Sequence, residues 1–139
     1  TTAETGHLVF ATLHTNSAVQ TINRIVSVFP AEQQERIRVL LSFTLQAVIS
    51  QRLLPSLQGG RVVAVEFLLM TPSIRNLVRE NKLHQIPSMM QVGQETTGMV
   101  TMNQSLVNLL MKRKIDLKTA FAASPEPEQL DMLLKKAGI

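Results

Sequence analysis

The chain has 139 residues, enough for one compact domain and too few for two large ones. Apolar residues make up 45% of it and charged residues 17%, a balance that excludes a disordered chain, and the lack of cysteine excludes a disulfide scaffold or a thiolate metal site and fits a reducing compartment. The net charge of +4 is scattered apart from Lys112-Arg113-Lys114 and Lys135-Lys136, and there is no Trp or Tyr to stack on bases, so nothing describes a nucleic-acid reader; no apolar run approaches the ~18 residues of a membrane-spanning helix.

Residues 7–14, His-Leu-Val-Phe-Ala-Thr-Leu-His, read as a strand. Leu8 and Phe10 fall on one side and Val9, Ala11 and Leu13 on the other, the pattern of a strand buried within an α/β sheet. Thr15-Asn16-Ser17 offers cap residues, and Ala18, Ile22, Ile25, Val26 and Phe29 follow at helical spacing until Pro30. The longest helical pattern spans 31–54, with Ile37, Leu41, Leu45, Val48, Ile49 and Leu53 as its stripe and Pro55 as its stop. A turn carrying Gly59-Gly60 leads to a second strand over 61–70, apolar on both faces except at Glu66. Thr71-Pro72 predicts a cap followed by proline at the first helical position of a short helix over 73–80.

Beyond Asn81 only helices and loops are expected. They are a helix over 84–92, a polar loop over 93–98, and a helix marked by Met102, Leu106, Leu109 and Leu110. Two more follow, one capped by Asp116 and one opened by Ser124-Pro125-Glu126-Pro127. Two strands apolar on both faces need helices above and below and further strands at their edges. The chain opens without Met a few residues before the first strand. The expectation is a partial sheet, with its remaining strands outside these residues.

The run Thr5-Gly6-His7-Leu8-Val9-Phe10-Ala11-Thr12-Leu13-His14-Thr15-Asn16-Ser17-Ala18 resembles the histidine box of secretion and pilus ATPases. Arg24-Ile25 through Val28-Phe29-Pro30-Ala31-Glu32-Gln33-Gln34, and Leu45-Gln46-Ala47-Val48-Ile49-Ser50-Gln51, continue the resemblance. Ser73-Ile74-Arg75-Asn76-Leu77-Val78-Arg79-Glu80 is similar to the AIRNLIRE signature of the PilT-like retraction branch, with Ser73 for Ala and Val78 for Ile. Asn81-Lys82-Leu83-His84-Gln85-Ile86 and Gly98-Met99 resemble the same branch.

The resemblance implies an α/β fold: the C-terminal half of a RecA-like P-loop ATPase core over 1–81, then an all-helical region over 82–139. It further implies a cytoplasmic homo-hexamer, peripheral at the inner membrane of a bacterium and hydrolysing ATP with Mg. Such a motor drives type IV pilus retraction in twitching motility through an inner-membrane platform protein. No G-x-x-x-x-G-K-[ST] phosphate loop occurs in these residues, and Gly59-Gly60-Arg61 lacks its spacing and its Lys. The chain alone is therefore expected to be inactive and to bind nucleotide weakly. Two other readings stand beside this one. A pilus-extension or type II secretion ATPase is disfavoured by residues 73–80, and a non-enzymatic helical adaptor by the two sheet-type strands.

His14 ends the first expected strand, where open α/β sheets place their ligands. The resemblance makes it the catalytic residue, donating to a phosphate; the plainer reading is a histidine that bonds the following helix start. Thr12 and Thr15 flank it and, with His7, are the other nucleotide-proximal members of the box. An extended strand puts His7 roughly 23 Å from His14 at about 3.3 Å per residue. His7 is therefore expected to bond a turn or meet a neighbouring subunit. Nothing in the spacing brings His7, His14 and His84 together, and no metal site is expected.

In the helix over 73–80, Ile74, Leu77 and Val78 form an apolar face. Arg75, Asn76, Arg79 and Glu80 are left for other contacts, and Ser73, near the helix start, offers an alternative cap. The resemblance makes Ser73 to Glu80 a motor-coupling element; without it they read as an ordinary surface helix. Glu66, a carboxylate in an apolar strand, needs a partner. Arg52 or Arg75 would give it a structural role, and facing the nucleotide a functional one.

Overall fold

The Gly59-Gly60 pair turns the chain back on itself. Both have positive φ, 90° and 70°, a region where only glycine is at ease. The Ser56 N–H closes the turn on the Gly60 carbonyl at 3.1 Å. The computed structural model, which describes residues 1–139, thus pairs β1 (Ala47–Pro55) with β2 (Arg61–Leu69). The two strands are antiparallel, in register from Ala47 opposite Leu69 to Pro55 opposite Arg61, and they form the whole sheet. Val48, Ser50 and Leu54 of β1 and Ala64, Glu66 and Leu68 of β2 are buried, whereas Ile49, Leu53, Val63 and Leu69 are exposed on the opposite face.

This hairpin overturns two expectations. The helix expected over 31–54 stops early: α2 covers Ala31–Thr44, and Leu45 is already extended. Leu45, Val48, Ile49 and Leu53 fit a helical stripe, but Val48, Ser50 and Leu54 also alternate at strand period. The β-branched Val48 and Ile49 suit the pleated form, and the ladder with β2 decides. The strand expected over 7–14 is not formed either, and 61–69 pairs with 47–55. Residues 7–14 have no ladder partner, and Leu8 and Phe10 stand 79% and 89% exposed.

Helix starts follow their local chemistry. α1 (Ala18–Ser27) is capped by Ser17, whose Oγ accepts the Gln20 N–H at 3.2 Å. α3 (Pro72–Arg79) is capped by Thr71, with Pro72 in its first turn as expected. Past residue 81 the chain is helical: α4 (Ile86–Val92), α5 (Gln94–Thr97), α6 (Met102–Met111), α7 (Leu117–Ala123) and α8 (Pro127–Lys136), with short 3-10 and irregular links. One bridge joins Val100 to Phe67 of β2 and stops short of a strand. α5 corrects the loop expected over 93–98; Thr97 Oγ1 donates to the Gly93 carbonyl at 2.6 Å and stabilises a single turn there.

The inward face of the hairpin serves two cores. At the Val48/Leu68 end it meets Ala18 and Ile22 of α1, Ile74, Leu77 and Val78 of α3, and Ile86 and Met90 of α4. At the Leu54/Ala64 end it meets Met102 and Leu106 of α6, Ala120 of α7, and Leu130 and Leu134 of α8. Full burial of one such Leu or Ile contributes about 1.5–3 kcal/mol. Glu66 stands on β2 between Ala64 and Leu68, between the residues of the two cores.

Candidate functional site

The capped start of α1 shapes the residues before it. Thr21 Oγ1 donates to the Ser17 carbonyl at 2.9 Å, so the 2.6 Å contact between Thr15 Oγ1 and Thr21 Oγ1 has Thr15 as donor. The Asn16 N–H donates to Gln20 Oε1 at 3.2 Å. The loop carrying His14 is thereby folded onto the first turn of α1, and the His14 side chain is left exposed.

His14 and Thr15 line a groove of about 440 Å³ between α1 and α2. Gln20, Asn23, Arg24 and Arg38 line it as well, and no acidic side chain does. Neither arginine is in a salt bridge; Arg38 Nη2 donates to Gln34 Oε1 at 3.4 Å. Two guanidinium groups and an imidazole around neutral polar groups suit an anion such as phosphate. Arg24 and Arg38 were not singled out by the sequence. Their convergence depends on how α1 packs on α2, which local pattern does not reveal.

His7 and Thr12 do not line this groove. His7 Nδ1 lies 2.9 Å from Thr5 Oγ1, which in turn donates to the Thr2 carbonyl at 2.8 Å, so His7 bonds the turn at the start of the chain. No group of three or more His, Asp or Glu side chains converges in a way that would hold a metal ion. No helix is long and apolar enough to cross a membrane.

α3 presents the apolar face read from its sequence, with Ile74, Leu77 and Val78 buried. Its charged residues turn toward this chain. Arg75 Nη1 donates to the carbonyls of Ser42, Phe43 and Leu45 at 2.7, 3.2 and 3.0 Å, and Nη2 donates to Gln46 Oε1 at 3.3 Å. A cation at the end of α2 satisfies carbonyls that lack partners within the helix and meets the negative end of its dipole. The Arg79 guanidinium stands 5.5 Å from the centre of the Phe43 ring, a cation–π distance. Asn76 Nδ2 donates to Glu80 Oε1 at 3.1 Å, and Lys82 Nζ lies 2.7 Å from Glu80 Oε2. These bonds, that from Lys82 foremost, hold the Glu80 carboxyl below the ordinary value. Ser73 is exposed beside this cluster.

Glu66 pairs with neither Arg52 nor Arg75. Its Oε1 accepts the Ala18 N–H at 2.8 Å and its Oε2 the Met102 N–H at 3.0 Å, so the buried carboxylate joins the first residues of α1 and α6. These partners lie 48 and 36 residues away, and no local signal announces them.

Residues 1–59 match the type II/IV secretion system protein family. The chain is 49% identical over 128 residues to the type IV pilus retractation ATPase PilT of Pseudomonas aeruginosa, covering 92% of this chain and 37% of that protein. It is 50% identical over 131 residues to a twitching motility protein of Neisseria gonorrhoeae, covering 94% of this chain and 35% of that one. Its fold superposes on the crystal structure of the pilus retraction motor PilT with bound ADP at a TM-score of 0.84 and 54% identity, over 93% of this chain and 36% of the other. The chain is thus related in sequence and in fold to the PilT-like ATPases of the type II/IV secretion superfamily. It spans about a third of the length of these relatives.

Proposed function

We propose that this chain is the C-terminal part of a cytoplasmic, homo-hexameric ATPase of the retraction branch. In this reading residues 1–81 complete a RecA-like core whose phosphate loop and remaining strands lie elsewhere in the protein, and 82–139 form a helical region. Hydrolysis of MgATP by the hexamer drives type IV pilus retraction at an inner-membrane platform protein. The observation that carries the reading is identity of 49% and 50%, over more than nine-tenths of this chain, to proteins named for pilus retraction and twitching. The exposed Leu8 and Phe10, and the apolar outward face of Ile49, Leu53, Val63 and Leu69, support it. Such surfaces suit a strand taken into a larger sheet and a hairpin face packed against further parts of the protein.

Within that motor His14 donates to the phosphate as it reacts, and Thr15 steadies the loop. Thr12 and His7 belong to the same box on the approach to the nucleotide. Ser73 to Glu80 couple the nucleotide state to movement, with Arg75 and Arg79 gripping the end of α2. The 139 residues contain no phosphate loop and are therefore expected to hydrolyse no ATP alone. The test compares this chain with the full-length protein in a magnesium-dependent ATPase assay. Turnover is expected from the full-length protein and none above background from the chain alone. Substantial turnover by the chain, or none by the full-length protein, contradicts the proposal.

A further inference from the structure

We infer that Glu66 is a positioning residue for His14, holding the start of α1 in a fixed relation to the start of α6. The inference rests on the phosphate-directed role of His14 proposed above.

Glu66 is only 8% exposed, and its two oxygens divide between two helices of opposite cores. Ala18 and Met102 are the first residues of α1 and α6, where backbone N–H groups have no partner within the helix and the positive end of the dipole is concentrated. Each helix already has a local cap. Ser17 serves α1, and a Thr101/Gln104 capping box serves α6, with its two bonds at 3.2 and 2.9 Å. What Glu66 adds is therefore relative placement more than helix formation.

The two sides of the link are unequal. α6 has other anchors on β2: Ser105 Oγ accepts the Val65 N–H at 3.0 Å, and Val100 bridges Phe67. On the α1 side, the Ala18 N–H to Glu66 is the sole hydrogen bond from that helix to the hairpin. The remaining attachment is the apolar packing of Ala18 and Ile22, which resists sliding less sharply than a directional bond. From Ala18 the connection to His14 is short: Ser17 carbonyl to Thr21 hydroxyl to Thr15 hydroxyl, at 2.9 and 2.6 Å. A shift of the first turn of α1 is a shift of His14.

Glu66→Gln is the informative change. The amide keeps one acceptor oxygen and turns an NH2 donor toward the other N–H, so at most one of the two bonds survives. The experiment measures ATP turnover by the full-length protein in four forms: unaltered, His14→Ala, Glu66→Gln and the double variant. Glu66→Gln is expected to lower kcat on the order of tenfold, with the KM for ATP little changed, because misplacement of a reacting group acts on the transition state. In the His14→Ala background it is expected to lower kcat no further. A structural role alone multiplies the two defects, and that result, or an unaltered kcat in Glu66→Gln, overturns the inference. If His14→Ala itself turns over ATP at the unaltered rate, the reading of His14 fails and takes the inference with it, a result distinct from multiplication. Should Glu66→Gln not fold, Glu66→Asp goes through the same cycle; it keeps the charge and is one methylene short of spanning both amides.

Discussion

The guanidinium of Arg75 lies 2.7 Å from the Ser42 carbonyl, joining α3 to the last turn of α2 across 33 residues of sequence. It also gathers the carbonyls of Phe43 and Leu45, so one side chain closes the end of a helix and the entry to β1. Arg75→Ala leaves these carbonyls without their charged donor and is expected to lower stability by about 1–3 kcal/mol. Arg75→Lys is expected to recover part of that, because an ammonium lacks the planar fork. Urea unfolding of the variants measures both; an unchanged midpoint for Arg75→Ala removes the cap from the account.

In the full-length protein, Arg75→Ala combined with Arg79→Ala is expected to keep much of the basal ATP hydrolysis and to abolish retraction. Arg75 and Arg79 hold the end of α2, and neither lines the groove, so under the proposed coupling role their loss is expected to impair transmission before chemistry. Hydrolysis in solution and twitching in cells, measured on the same variant, decide the matter. Hydrolysis lost as completely as in His14→Ala would place α3 within the catalytic site, and normal twitching would reduce it to a surface helix.

The two cores give a test of how the hairpin joins them. Ile74 and Leu106 are both fully buried, one in each core. Ile74→Ala and Leu106→Ala are each expected to lower stability by about 2–5 kcal/mol. Their effects are expected to add within about 0.5 kcal/mol, since they lie in separate cores. A large departure from additivity in the double variant would mean that the cores act as one.

Acid sensitivity has an identifiable source. The Asp116 carboxylate accepts the Thr119 N–H at 2.7 Å, and that backbone bond is the first cause holding its pKa below the usual 3.8. A folded pKa below the unfolded one gives stability that is present above the unfolded value and lost as pH falls through the folded value. Glu80 behaves alike from its ordinary 4.5, chiefly through Lys82. Asp116→Asn keeps an acceptor at the cap and so changes little at neutral pH. It is expected to flatten part of the fall in the urea midpoint between neutral pH and about pH 3. An acid limb identical to that of the unaltered chain would contradict this.

What the sequence makes legible is local. Ser17, Thr71 and Asp116 each cap the helix expected of them, because a cap involves residues three apart. The strand over 61–69 is legible from its apolar run, and Ile74, Leu77 and Val78 from their spacing. Residues 45–54 misread because Leu45, Val48, Ile49 and Leu53 fit a helical stripe while Val48, Ser50 and Leu54 alternate at strand period, and only pairing with β2 chooses. Residues 7–14 carry a strand pattern with no ladder here to realise it. The site divides in the same way. His14 and Thr15 stand out through a contiguous motif. The Arg24/Arg38 pair, the Arg75 cap and the Glu66 bridge depend on how helices pack on one another and on the hairpin.

In the proposed reading His14 serves the reacting phosphate of ATP. The measurement is magnesium-dependent ATP turnover by the full-length protein carrying His14→Ala. His14 is exposed, so its removal is expected to leave the fold intact. The loss of a donor aimed at developing charge is expected to lower turnover by about 10²-fold or more. Turnover equal to that of the unaltered protein would contradict the account.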